Sequence, residues 1–490
     1  MIHVSDINHT QQCPRLAWKL NRHLMPAEPF ANSIYSFSGL YLPYLGASNW
    51  PSGQAYDSSQ DTLAILKEHK KGIQLRFEKE GLRGRIPLLV QKEDGSWKAI
   101  YPLRSVYPKE KELDTMLWNK WLAEDAGLQI TEHEIVWINS QFVEGGQEPL
   151  LLKGRHLMKK RGQFFEKNID EMLAEKDVCY EELLQQAKLA VEQEIPQPAK
   201  CKACSAPRRC SFYEECFDTA SLSDDSILHL CSSAQRQKIF EDGILYLKDM
   251  PPFKMEGLPL QYAQVQAAQN PSGRFVDRKG LQGFMKDLQY PLIYLDFEWD
   301  TFLFPPYPRM KPFDVLCFQF SMHVEQEDGS LSHFSFFAEG DCRKAFLEAL
   351  FADLPKQGTI LVYNMEGAEK LRLQQLGSQF PEFQEQIEQA VSRMKDLSLP
   401  FEQGLFYDLS QRGKSSLKSI LPLFTGEDPY KNLEVGNGLD AIYAYRKACA
   451  SQDPQVKEEL AQAISDYCAM DTLAEYDVLH GLQNILAGKE

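Results

Sequence analysis

At 490 residues the chain is long enough for two or more domains, each with its own core. Its 43% hydrophobic and 25% charged content are those of an ordinary globular protein. The net charge of −16 argues against broad, non-specific polyanion binding, although a local basic groove can coexist with an acidic exterior. No apolar run reaches the length of a membrane span, and Met1 to Asp6 carries no basic flank or apolar signal core. A cytoplasmic protein with no membrane partner is expected.

In chain order, Ser5 is expected to cap a first helix with Ile7, Leu16, Trp18 and Leu20 in contact with a core, interrupted at Cys13-Pro14-Arg15. From Gly72 to Ser105 alternation predicts a β-meander, with Lys92 to Ser96 as a hairpin turn. A helix over Glu112–Ala126, stopped by Gly127, precedes a strand over Glu134–Asn139. The basic stretch Lys153 to Lys167, with Arg155, Lys159, Lys160 and Arg161, reads as a solvated face or as phosphate contacts. A helix over Tyr180–Glu194 follows.

The eleven cysteines are unevenly placed. Cys201, Cys204, Cys210 and Cys216 crowd one loop around Pro207, a spacing hard to explain as packing. Clustered thiols in a reducing compartment are metal or cluster ligands more often than disulfides, so zinc or an iron–sulfur cluster is expected. Cys179, Cys231, Cys317, Cys342 and Cys449 read as structural thiols. The segment 218–285 reads as a connector with helical pattern over Ile227–Leu245.

The C-terminal part predicts strands at Leu292–Glu298, Val315–Val324, Leu331–Phe337, Thr359–Tyr363 and Leu405–Leu409, with helices between them and a last helix from Pro454 to Leu486. Three meandering strands followed by alternating helices and strands is the order of an RNase H-like fold, an order other α/β layouts share. In the first strand two acids replace apolar residues: Asp296 and Glu298 share one face, with Phe297 opposite. Adjacent carboxylates repel and lose solvation, and a divalent cation with a taste for oxygen, magnesium or manganese, relieves both. Asp471 falls on the apolar stripe of the last helix, one turn after Tyr467. Glu366 and Glu369 follow the fourth strand, where they serve either a site or an ordinary helix start.

Together Asp296-Phe-Glu298, Tyr363-Asn364 with a following acid, and Tyr467-Cys-Ala-Met-Asp471 resemble the three motifs of DEDD 3′–5′ exonucleases, and the Tyr-x-x-x-Asp ending resembles their tyrosine-bearing subgroup. The segment Gly413 to Pro422, followed by Pro429-Tyr430, is similar more narrowly to a bacterial family joining such a domain to an N-terminal RecB-like, iron–sulfur PD-(D/E)XK domain. The resemblance implies an α/β chain in three parts. Residues 1–217 would form the PD-(D/E)XK-like domain, 218–285 a connector, and 286–490 an RNase H-like exonuclease domain. It implies catalytic and metal-binding roles for Asp296, Glu298, Glu369 and Asp471, with Tyr467 orienting water. Ala368 stands where the family has Asp; Glu369 is the best substitute, then Glu366, with Asp408 in reserve.

In the N-terminal half, Arg85-Ile86-Pro87 and Pro102-Leu103-Arg104 stand where a RecB-like nuclease carries Asp and Glu-x-Lys, and Asn119 where it carries Gln. The resemblance therefore implies lost nuclease chemistry beside a retained 4Fe-4S cluster. Cys13 would join the late loop, through Cys201, Cys204 and Cys210 or through Cys204, Cys210 and Cys216. The expected partner is nucleic acid, single-stranded DNA before RNA. A non-catalytic nucleic-acid-binding or assembly protein, or an RNA-processing exonuclease, are the alternatives.

Overall fold

The computed structural model describes all residues except 24–36, 161, 193, 197–209, 211, 219–220, 232–235, 256 and 490. The chain is mixed α/β and divides into two compact units. The first comprises Met1–Cys216 with Leu303–Pro312; the second comprises Phe217–Phe302 and Phe313–Glu490. The segment expected as a connector thus belongs to the second unit. Among the described residues no helix is long and apolar enough to cross a membrane.

The first unit is built on a six-stranded sheet. Its strands are β1 (Ile2–His3), β2 (Lys71–Lys79), β3 (Leu82–Gln91), β4 (Trp97–Pro102), β5 (Ile130–Ile138) and β6 (Leu151–Gly154). The expected meander is β2–β3–β4, antiparallel throughout, with β5 added parallel to β4. Helix Glu112–Asp125 buries Leu113, Met116, Leu117, Trp118 and Leu122 in the core beneath the sheet. It ends at Ala126, and Gly127 takes a positive φ of 90°, as a helix stop favours. The first helix, Val4–Gln12, begins two residues earlier than expected: His3 caps it, its N–H donating to Asp6 Oδ2 at 2.8 Å, and Ser5 lies inside it. Cys13 separates it from helix Pro14–Asn21, where Pro14 takes the first position, the one that needs no N–H donor.

In the second unit the main sheet has the order β10-β9-β8-β11-β12. These are β8 (Leu292–Thr301), β9 (Val315–Glu325), β10 (Leu331–Phe337), β11 (Thr359–Val362) and β12 (Met394–Asp396). The first three in sequence are antiparallel neighbours, while β11 and β12 run parallel to β8. The expected fifth strand is present but lies outside this sheet. β13 (Phe406–Asp408) instead pairs with β7 (Arg274–Val276) in a separate two-stranded sheet, and Met394–Asp396 closes the main one. Three residues without apolar alternation give no strand signal by themselves. The helical pattern over Ile227–Leu245 is also broken, into a short turn at Ile227–His229 and helix Arg236–Glu241.

β9 is buried along its whole length because both faces are covered. Phe320, Met322 and Val324 pack with helix Arg343–Asp353, while Gln319, Ser321 and His323 alternate onto the other face. That polar face lies under the last helix, Pro454–Ala487, and is matched group by group. Ser321 Oγ and His323 Nδ1 meet Thr472 Oγ1 at 2.9 and 2.7 Å, and Ser465 Oγ donates to Gln319 Oε1 at 3.3 Å.

Candidate metal centre

β8 carries Asp296 and Glu298 onto the same face as these polar groups. Phe297 points the other way, its ring 5.0 Å from that of Phe346 in the core. A β-bulge follows Glu298, where the register with β9 slips; such an irregularity re-aims side chains and ends regular pairing. The last helix brings Asp471 over this strand end. One carboxylate oxygen from each of Asp296, Glu298 and Asp471 lies within 4.8 Å of the others. Glu298 and Asp471 are only 7% and 8% exposed, and Asp296 is half-buried.

The loop after β11 delivers the fourth acid. Asp396, at the end of β12, accepts the N–H groups of Asn364 and Met365 at 3.0 and 2.8 Å, which fixes the turn. Asn364 sits there at a φ of 69°, a conformation asparagine tolerates better than most residues. The turn leads into helix Glu369–Gln379, whose first residue is 2% exposed. Glu366 faces the other way and pairs with Lys370 at 2.5 Å. Asp408 is occupied elsewhere: Arg274 Nε donates to it at 2.6 Å. Of the three acids the sequence left open, Glu369 is the one brought near Asp296 and Glu298.

A fifth acid was missed. Glu475, one turn beyond Asp471, is 1% exposed, and the charges of Asp296, Glu369 and Asp471 bear on it. Tyr467, Asp471 and Glu475 recur at intervals of four, so the helix period alone could have included it. Glu369 Oε2 and Glu475 Oε2 are both buried without a hydrogen-bond partner among the described residues.

Burial first, and then mutual repulsion, raises the carboxyls of Asp296, Glu298, Glu369 and Glu475 well above the usual carboxylate range. Asp471 is raised by burial too, against the opposing hydrogen bond from Tyr430, the charge of Lys418 and the hydrogen bond from Tyr467. The Tyr430 hydroxyl donates to Asp471 Oδ1 at 2.6 Å, and the Cys468 thiol to Asp296 Oδ2 at 3.1 Å. By contrast Asp300, further along β8 and fully buried, is neutralised by two bonds of 2.8 Å from Arg446.

Lys418 is the second residue the sequence did not single out. Its ammonium lies 4.8 and 4.5 Å from the ring centres of Tyr430 and Tyr467 and donates to the Gly436 carbonyl at 2.6 Å. The segment that presents it is held at its base. Gly413 N–H donates to the Tyr407 hydroxyl at 2.9 Å, and the Tyr363 hydroxyl donates to the Ser415 carbonyl at 2.5 Å. Gly413 has a φ of 76°, and a Cβ there would stand 2.3 Å from the His229 carbonyl oxygen, so the position requires glycine.

In the first unit, Cys13 and Cys210 act on Cys216. Burial and these two thiols push the Cys216 thiol up, against the opposing pull of Arg15. Lys19 pairs with Glu215, and its ammonium lies 4.8 Å from the Phe212 ring centre, holding the second helix to this loop. Cys201 and Cys204 lie outside the described residues, as does Arg161. The rest of the basic stretch is partly paired: Arg155 with Asp170 at 2.7 Å and Lys167 with Glu175 at 2.6 Å. Asn119 is buried, its amide bonded both ways, at 3.0 Å each, to the backbone of Arg85. Arg85 and Pro87 on β3 and Pro102 on β4 offer no carboxylate.

The model of a family described as "Domain of unknown function (DUF2779)" matches residues 293–416, less than half of the chain. That span includes Asp296, Glu298 and Glu369 and stops short of Asp471. No curated protein matches the chain, and no solved structure does.

Proposed function

We propose that the second unit is a metal-dependent 3′–5′ exonuclease acting on nucleic acid, with single-stranded DNA as the first substrate to test. The observation that carries the reading is a set of five acids, four buried and Asp296 half-buried, three with oxygens within 4.8 Å and two others each with an unpartnered buried oxygen. Buried carboxylates in such number need positive charge, and Lys418, with Arg372 beside Glu369, supplies too little. The strand order of the main sheet supports the RNase H-like reading, as do the acids on β8, after β11 and on the last helix. The donor set is all oxygen, which suits magnesium or manganese.

Asp296, Glu298 and Asp471 would hold one ion, and Glu369 and Glu475, with Asp296 near both, a second. When bound, such ions activate water and stabilise the leaving oxygen of a phosphodiester. The protein groups do the positioning. Burial pushes the Tyr467 hydroxyl up, so it keeps its proton, shares it with Asp471 and would orient a water as an acceptor. Tyr430 holds Asp471 in place by donating to it. Lys418 lies beside the two tyrosines, where its charge can attract a phosphate.

In the first unit we assign Cys13, Cys210 and Cys216, with Cys201 or Cys204, to a 4Fe-4S cluster of structural role. The action of Cys13 and Cys210 on the Cys216 thiol supports this, because it brings three thiols from both ends of the unit near one another, as ligands of one iron–sulfur group must be.

The test is incubation of anaerobically purified protein with end-labelled single-stranded DNA and RNA, with manganese or chelator, beside Asp296→Asn. Metal-dependent shortening from the 3′ end, lost in the variant, is the expected result. Strand binding without any cleavage in either substrate would favour the non-catalytic alternative.

A further inference from the structure

The first unit holds a cavity of about 420 Å³, lined among others by His3, Arg76, Arg83, Arg85, Thr115 and Asn119. Its charge is one-sided. The antiparallel register of β2 and β3 sets Arg76 directly opposite Arg85. Arg83, two residues before Arg85, lies on the same face of β3. Like charges across a strand pair destabilise it, so an unrelieved arrangement of this kind needs a reason.

The protein relieves it only in part. Arg83 pairs with Glu78 at 2.9 Å and donates to the Ala55 carbonyl at 3.1 Å, yet its buried Nε has no partner among the described residues. Arg76 spends one N–H on the Gln74 carbonyl at 2.9 Å and has Asp57 nearby. The Arg85 guanidinium makes no hydrogen bond or ion pair among the described residues. Burial, then the charges of Arg85 and Arg83, hold Arg76 below the ordinary arginine range against the pull of Asp57. Arg85 and Arg104 both act on the Tyr41 hydroxyl. All this sits in a chain of net charge −16.

We propose that this cavity binds a phosphate group, carried either by a free nucleotide or by the backbone of a nucleic-acid strand. Guanidinium forks match phosphate oxygens in geometry and charge, and a bound dianion would relieve the repulsion between Arg76 and Arg85. The wall is rigid where precision matters: Asn119 clamps the backbone at Arg85. Thr115, one turn earlier on the same helix, adds a hydroxyl. The space is that of an ordinary small-molecule site, roughly 300–1,000 Å³, and would admit a sugar and base beside the phosphate. The proposal concerns the first unit alone and stands whether or not the second unit cleaves.

The experiment is thermal unfolding and calorimetric titration of the full chain with inorganic phosphate, at ionic strength matched with chloride, for the parent and for Arg85→Gln and Arg76→Gln. The parent should show a saturable rise in melting temperature, and each variant at least a tenfold weaker affinity. Without ligand, Arg76→Gln should melt no lower than the parent, since it removes a like-charge pair. Two further arms use adenosine monophosphate and an unstructured single-stranded oligonucleotide. Tighter binding of the mononucleotide than of phosphate, with no oligonucleotide effect in the variants, assigns a free nucleotide. Oligonucleotide binding weakened in both variants assigns a strand backbone. No response beyond the chloride control, or equal responses in parent and variants, overturns the proposal.

Discussion

The hydroxyl of Tyr430 donates to Asp471 Oδ1 at 2.6 Å, and the two residues come from different elements, a short turn at Pro429–Asn432 and the last helix. Groups that orient metal ligands cost about 10–100-fold in affinity or activity when removed. Tyr430→Phe is therefore expected to weaken manganese binding about tenfold in a calorimetric titration while the fold is kept. Tyr467→Phe should act differently, lowering the cleavage rate more than the cation affinity. Equal effects of the two substitutions on both quantities would remove the distinction.

Crowded acids make a stability prediction that needs no substrate. Glu475→Gln keeps the shape of a side chain that is 1% exposed and removes one of five mutually repelling charges. In chelator the variant should be more stable than the parent by about 1 kcal/mol, the worth of roughly one pKa unit. Added manganese should then stabilise the variant less than the parent, because one ligand has gone. Urea unfolding with and without the ion measures both. A variant less stable than the parent in chelator would mean that Glu475 is satisfied in a way its unpartnered oxygen does not suggest.

The strands and helices that carry Asp296, Glu298 and Asp471 were legible because apolar periodicity is strong there and the acids interrupt it. Asp396 and Lys418 were not. β12 is three residues long, with no alternation to mark it, so the acid that fixes the turn before Glu369 looked like any loop acid. Lys418 lies between short helical turns, and its role depends on Tyr430 and Tyr467 reaching it from elsewhere in the chain. Glu475 was within reach of helix periodicity, but a glutamate is rarely fully buried and so reads as a solvated residue. The misplaced fifth strand has the same origin: Phe406-Tyr407-Asp408 has the stronger strand composition, yet its partner is Arg274–Val276.

The cysteine assignment can be separated from any activity. Cys13→Ser and Cys216→Ser are expected to lose iron, sulfide and visible absorbance together, and to lower the thermal stability of the first unit. The second unit's manganese binding should be unchanged in both. Cys179→Ser, an exposed thiol, is the control and should keep full iron content. Full iron in Cys216→Ser would leave the triplet Cys201, Cys204 and Cys210 as the late ligands.

His323 gives a pH dependence of definite sign. Its ring is buried between β9 and the last helix, with Nδ1 2.7 Å from Thr472 Oγ1 and the His333 ring stacked at 4.3 Å. Burial, helped by His333, lowers it from 6.5 to about 4. Between those values the unfolded chain takes up a proton that the folded chain refuses. Stability therefore falls as pH drops from 6.5 and levels off below about 4. The raised carboxyls act in the opposite sense, since the folded state protonates them first and gains as pH falls. The two are separated by taking the difference between the parent and His323→Gln, both saturated with magnesium so that the acids stay ionised. Urea midpoints should show the parent losing stability faster than the variant on acidification, with a slope approaching one proton. Parallel curves would mean that His323 is protonated in the folded protein, and that Thr472 accepts its bond.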